Sequence, residues 1–261
     1  MTYSRARVWQ LVFLVTLTAW YIKFTTLVYA YNGHIGLPFK QHELLSGWML
    51  SPHVSLLTYM TPLLGVIALV YPRRKWFILA SVVLMTSSLL MLWNIHSYND
   101  ATFVVIFWIS AWLLWWAITI PCQGREHALW AVRLGLGIVG LMFLGGAAGK
   151  WTDSYWSGEA VYQLYFMQKD LLVYSWMRER LDQEMLHFIA CWFSRVLVIT
   201  ESLWATVFLW PGRLASLSTM ILSVIMIAGS TWMLFSVLGG IIGLCLGILV
   251  IYQHELGKIS A

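Results

Sequence analysis

Five ionisable side chains sit inside or at the edge of long apolar runs: Lys23, His96, Lys150, Arg195 and Glu201. A charge at the centre of a bilayer costs about 2.5–3.5 kcal/mol on insertion scales, so such a residue marks function unless a structural partner accounts for it. His96 lies in Trp93-Asn94-Ile95-His96-Ser97-Tyr98-Asn99-Asp100, where an amide, an imidazole, hydroxyls and a carboxyl crowd one membrane-boundary turn. It is either a polar anchor for a helix end or a reactive site. Lys150 closes the run Gly145-Gly146-Ala147-Ala148-Gly149-Lys150-Trp151. A lysine there can snorkel to the interface. Alternatively, the small residues admit a neighbouring helix, Trp151 and Trp156 screen the amine from water, and a desolvated lysine serves as a base.

Arg195 and Glu201 are six residues apart and fall on different faces of one helix, so they do not pair along it. Each needs a partner on another span, and Lys23 is one candidate for Glu201. Asp153 and Glu159 are not spaced as a catalytic carboxylate pair. The chain has no HExxH, GxSxG or Walker motif. Cys122, Cys191 and Cys245 lie far apart, with no metal-ligand spacing.

The elements that position these groups are membrane helices. Of 261 residues, 60% are hydrophobic and only 10% charged, against about 25% charged in soluble domains. So few charges do not cover a water-facing surface. The 17 Trp suit two aromatic belts at the headgroups. Apolar runs long enough to span occur at 8–31, 54–71, 76–93, 102–120, 128–148, 186–210, 214–235 and 237–252. The expected fold is an all-α bundle of about eight spans in one domain. The last two are joined at Gly239 and Gly240, which leaves seven as the alternative count. Pro62 is expected to kink the second span. The first run, after Arg5 and Arg7, is too long for a signal-peptide core and is read as a retained span.

Orientation follows from basic residues. Arg5, Arg7, Arg73, Arg74, Lys75, Arg125, Arg133, Arg213 and Lys258 fall on one side. Lys40, Lys150, Lys169, Arg178, Arg180 and Arg195 fall on the other, diluted by acidic residues. The N-terminus is therefore expected in the cytoplasm. The net charge of +5 does not indicate nucleic acid, because the basic residues are scattered and form no stripe. Two outer segments are long. Residues 150–185 mix aromatic and charged residues and are expected to form helices lying in the outer interface.

At these residues the chain resembles a known family. Asn94-Ile95-His96-Ser97-Tyr98 is similar to the Asn-Asn-His-Ser-Tyr stretch of vitamin K-dependent γ-glutamyl carboxylases. Lys150-Trp151-Thr152-Asp153-Ser154-Tyr155-Trp156-Ser157-Gly158 resembles their Lys-Leu-Asp-Ala-Asp-Trp-Val-Glu-Gly segment. The wider group is the bacterial horizontally transferred transmembrane domain family, distantly similar to DoxX/DoxD-type quinone-linked proteins. The resemblance runs in order over roughly residues 8–250. It implies a base role for Lys150 toward a reduced quinone or vitamin K-like hydroquinone, a supporting role for His96, and an acidic position at Glu201. Two features depart from the family. The stretch Ile225-Met226-Ile227-Ala228-Gly229-Ser230 is apolar where the carboxylases carry a His-Cys-Met-Asn cluster, and no large luminal region follows.

Two functions stand side by side. One is an enzyme of a bacterial inner membrane that binds a quinol among Trp93, Asn94, Tyr98, Trp151, Trp156 and Arg195, and uses Lys150 and His96 to modify a secreted peptide or small molecule. The other is a non-catalytic quinone- or lipid-binding subunit with partner membrane subunits. A peptide transporter is weaker, because few polar residues line a path.

Overall fold

The computed structural model describes residues 3–29, 52–93, 101–121, 124–167, 172–229 and 232–256. Among them the regular structure is helical. The long helices are α1 (Tyr3–Tyr29), α2 (Pro52–Val70), α3 (Arg74–Trp93), α4 (Ala101–Thr119) and α5 (Arg125–Ala148). Short helices α6 (Asp153–Trp156), α7 (Glu159–Val161) and α8 (Leu172–Arg180) follow. Then come α9 (Gln183–Trp204), α10 (Gly212–Ala228) and α11 (Trp232–Ile251).

Among the described residues, six stretches are long and apolar enough to cross a membrane: Arg5–Thr25, Arg74–Leu92, Ala101–Thr119, Arg125–Ala148, Gln183–Trp204 and Phe235–Leu256. Met60–Val70 and Gly212–Ala228 are shorter apolar helices. The architecture fits a multi-pass membrane protein. Pro62 lies within α2.

The surface gives a second argument for lipid. On α10 the buried positions are Gly212, Ala215, Ser216, Thr219 and Ser223, whereas Leu214, Leu217, Ile221, Val224 and Ile225 are exposed. In water this arrangement is inverted, with large apolar groups outside and small hydroxyl residues within. It suits lipid, where small residues bring helices together and large apolar ones meet acyl chains.

The centre of the bundle is α1, α4 and α11, which pack against one another. Helices α1 and α11 run antiparallel, and Gly243 and Gly247 face Val15 and Val12 so closely that a Cβ would strike those side chains. Gly240 likewise meets Ile109 and Val105 of α4. The expectation that Gly239 and Gly240 join two spans is corrected here. They lie inside α11, where lack of a side chain serves helix contact, and α10 instead ends at Ala228 with Gly229 as its cap.

Arg5, at the start of α1, forms an ion pair with Glu255 in a π-helical turn after α11, its Nε donating to Oε1 at 2.7 Å. Its Nη1 donates to the Ile120 carbonyl just past α4. Trp116 lies under the guanidinium at 5.5 Å. This end of the bundle, the Arg5 end, joins the first and last long helices.

Candidate functional site

Helix α5 runs from the Arg5 end to Lys150, about 36 Å at 1.5 Å per residue for its 24 residues. Gly149 caps it, and the Lys150 amide returns to the Ala147 carbonyl. The Lys150 Nζ donates to both carboxylate oxygens of Glu201 on α9, at 2.9 and 2.6 Å. A longer bond reaches the Gly146 carbonyl at 3.4 Å. The Glu201 side chain is 5% exposed and that of Lys150 is 22% exposed, so the cation is the open side of the pair.

Gly146 makes room for this contact. A Cβ there would lie 3.1 Å from Glu201 Oε2. Lower down, Gly140 admits the carbonyl of Ala205, so α9 follows α5 closely. Glu201 belongs to the buried face of α9, with Leu186, Ala190, Ser194 and Val198. The expectation of Lys23 as its partner is corrected: the carboxylate is occupied by Lys150. Lys23 lies half-buried on α1.

Two indoles stack next to the pair. Trp151 and Trp156 stack with centroids 5.1 Å apart at 20°. Trp151 donates its indole N–H to Ser202 on α9. Arg195 Nε donates to the Trp156 carbonyl at 3.1 Å. Its guanidinium lies 5.9 Å from Trp156 and 5.8 Å from Trp192. Arg195 and Glu201 thus serve one site from different faces of α9, through different partners.

The segment after Lys150 builds a small apolar core of its own: Val161, Phe166, Tyr174, Leu186 and Ala190, with Tyr155 and Tyr165 packed against it. Its turn depends on Gly158, which has φ +83° and sits against the backbone of Ala190 and Cys191, where a Cβ would collide. The left-handed conformation and the close approach both require glycine. Ser194 donates to the Tyr155 carbonyl, and the Tyr174 hydroxyl donates to the Gly229 carbonyl at 2.8 Å. The segment is therefore fixed to both α9 and the end of α10.

Tyr155 and Tyr165 were not among the sequence candidates, because their pattern reads only as aromatic packing. The structure sets both near Glu201. Burial, then the Glu201 charge, raises the Tyr155 phenol above its ordinary value. Burial, with Tyr155, Tyr174 and Glu201 contributing less, pushes Tyr165 up to about 12. Both phenols stay protonated at neutral pH.

The site so described brings together Lys150, Glu201, Trp151, Trp156 and Arg195. Asn94, His96, Tyr98 and the side chain of Trp93 lie outside the described residues, as do residues 30–51. Chemically, the arrangement offers a flat aromatic surface, an ammonium donor and a carboxylate acceptor at one place. In comparisons with known proteins, no family model, curated protein or solved structure matches this chain.

Proposed function

We propose that the chain is a membrane protein that binds a reduced quinone beside the Lys150–Glu201 pair, close to the outer face of a bacterial inner membrane. The observation that carries this reading is the bidentate Lys150–Glu201 contact with the stacked Trp151–Trp156 indoles next to it, Trp151 bonded to Ser202. A quinol ring is flat and apolar and carries oxygens at its edges. The indoles suit its face, and Lys150 and the two phenols suit its oxygens. A reduced quinone supplies electrons to oxygen, and its hydroxyl protons need an acceptor.

The pair can hold such a proton. Lys150 passes one proton across the 2.6 Å bond to Glu201, and the lone pair left on Nζ accepts the next. Glu201 then carries a neutral carboxyl and Lys150 is again an ammonium. Lys150 thus works as a base only through Glu201. For His96, the resemblance implies a supporting role toward the same ligand. The substrate of the enzyme reading is a secreted peptide or small molecule.

The finer topology belongs to the same proposal: eight spans, counting α2 and α10, with the N-terminus in the cytoplasm and the short helices after Lys150 at the outer interface. Arg74 donates to the Ile118 carbonyl and Arg5 to that of Ile120. Two basic clusters therefore share the end where α4 finishes, which supports the positive-inside assignment.

The test is a titration of the purified protein with a reduced naphthoquinone and with ubiquinol, following binding and oxygen uptake. Wild type is expected to bind and consume oxygen. Lys150→Ala and Glu201→Gln are expected to bind without turnover, and His96→Ala to turn over slowly. If wild type binds no quinol, or all variants behave alike, the reading fails. A second reading, a non-catalytic subunit of a larger complex, is favoured by the full engagement of Lys150, which the Glu201 carboxylate already satisfies in a structural way.

A further inference from the structure

Among the described residues no carboxylate forms an ion pair with Arg195. Its contacts are the hydrogen bond from Nε to the Trp156 carbonyl and the two indole faces of Trp156 and Trp192. Three acids of α7 and α9 have other partners. Glu201 is held by Lys150. Glu159 accepts from Gln163 and pairs with His187. Asp182 caps α9 by accepting from the Met185 amide.

The guanidinium is also fixed in orientation. The Nε bond holds one edge of the plane and the two rings flank it, so Nη1 and Nη2 form the remaining edge. Neither of these nitrogens has a hydrogen-bond partner among the described residues. A guanidinium edge matches two oxygens of a phosphate.

The surroundings indicate what carries that phosphate. Along α9, Trp192, Val196, Ile199 and Leu203 are exposed. Their three- and four-residue spacing makes one apolar track running past Arg195 toward the C-terminal end of the helix. Arg195 lies six residues before Glu201, about 9 Å along the helix axis. Since Ala205 meets Gly140 and Glu201 meets Gly146, Arg195 lies past the C-terminal end of α5, beside the exposed Trp156 and Trp192, a residue type that gathers at headgroup depth. A cation at headgroup depth above an apolar track matches an amphiphile with an anionic head and alkyl chains.

We propose that Arg195, flanked by Trp156 and Trp192, is a binding site for the phosphodiester head of a membrane phospholipid, whose chains lie along Trp192, Val196, Ile199 and Leu203. The site adjoins the quinol position, sharing Trp156 with it, and lipid binding there requires no quinol. A phospholipid seated there covers the Trp156 side of the indole stack and closes the site toward the bilayer. Arg195 is thereby a lipid anchor, where sequence reading placed it with the quinol.

The test contains no quinol. Delipidated full-length protein in detergent is titrated with short-chain phosphatidylglycerol, and bound lipid is counted by native mass spectrometry. Wild type is expected to bind one lipid per chain at this site, more tightly than it binds diacylglycerol, which lacks the phosphate. Arg195→Gln keeps a donor for the Trp156 carbonyl but loses the charge, and it should weaken binding roughly tenfold or more. Arg195→Lys, which keeps charge without the fork, should fall between, and it replaces Arg195→Gln if that variant does not fold. Trp192→Leu should weaken binding less than Arg195→Gln. Unchanged phosphatidylglycerol affinity in the Arg195 variants overturns the proposal, as does equal binding of diacylglycerol. Displacement of the lipid by equimolar inorganic phosphate overturns the role of the apolar track.

Discussion

At the Arg5 end, a guanidinium grips Glu255 with two nitrogens, gives a third bond to a backbone carbonyl and rests on Trp116. Its side chain is 4% exposed and that of Glu255 is 15% exposed. At the Lys150 end, an ammonium meets Glu201 just as directly, but the lysine is 22% exposed and the carboxylate only 5%. Both pairs tie distant parts of the chain together. The first closes the helix bundle, as each nitrogen of the rigid guanidinium fork donates to a partner. The second leaves its cation side open, next to a pair of stacked indoles. A buried ion pair alone does not mark a site; the side left open does.

The largest expected effect comes from breaking the closed pair. Arg5→Ala strands Glu255, and Glu255→Ala strands Arg5. Removing one partner of a buried pair costs about 3–5 kcal/mol. Both variants should therefore lose stability to a similar degree in thermal unfolding in detergent. Replacing both, as Arg5→Met with Glu255→Leu, should recover most of the loss. A single substitution costing under about 1 kcal/mol, far below that range, would mean the pair is ornamental and the comparison is wrong.

The open pair should respond asymmetrically. Lys150→Ala leaves a carboxylate stranded at 5% exposure and should cost about 3 kcal/mol, the lower part of the buried-pair range. Glu201→Ala frees a lysine whose long stem lets its ammonium reach water, so about 1 kcal/mol is expected. The same melts read out the order. Equal losses would show that Lys150 is as enclosed as Arg5 and would remove the structural basis for a ligand position.

The fold was largely legible in the sequence, because hydropathy reports directly on helices that carry all their own backbone hydrogen bonds. The boundary between α10 and α11 was misread, since a glycine pair marks both a chain break and a tight helix contact, and only the facing residues separate the two. For the site, Lys150 and Glu201 were each picked out as charges in apolar runs. Their pairing was not, because it depends on α9 following α5 at the register set by Gly140 and Gly146. Arg5–Glu255 escaped entirely. Both residues lie at the ends of the chain, where charges read as solvated termini, and 250 positions separate them. His127 was missed for a similar reason. It stacks on Trp115 at 4.9 Å, and neither ring nitrogen has a hydrogen-bond partner among the described residues.

Gly146→Ala tests whether the register of α9 on α5 is built around the open pair. Its Cβ would press on Glu201 Oε2 at 3.1 Å and approach Lys150 Nζ at 3.7 Å. The expected loss is about 1 kcal/mol, at the mild end of overpacking, with weaker quinol binding. Gly145 is the control, as a Cβ there meets nothing within 4 Å. Gly145→Ala should be neutral or stabilise by roughly 0.5 kcal/mol through reduced backbone freedom in the unfolded chain. If both alanines behave alike, Gly146 is not the residue that makes room for the pair.

The smallest effect is a titration. Tyr165 is held up to about 12 in the folded protein, mainly by burial, with Glu201 adding a minor share. An unfolded tyrosine loses its proton near pH 10. Between these values the folded state binds the proton and the unfolded state does not, so stability falls as pH rises. The contribution of Tyr165 is complete below about pH 10 and is lost by about pH 12. Tyr165→Phe should flatten that part of the alkaline melting curve. A phenolate absorbance titration separates the two ends of the bundle: Glu201→Gln should lower the Tyr165 midpoint slightly, while Glu255→Gln should leave it in place. A shift produced by Glu255→Gln instead would mean that the two ion pairs communicate through the bundle and are not independent devices, one closed and one open.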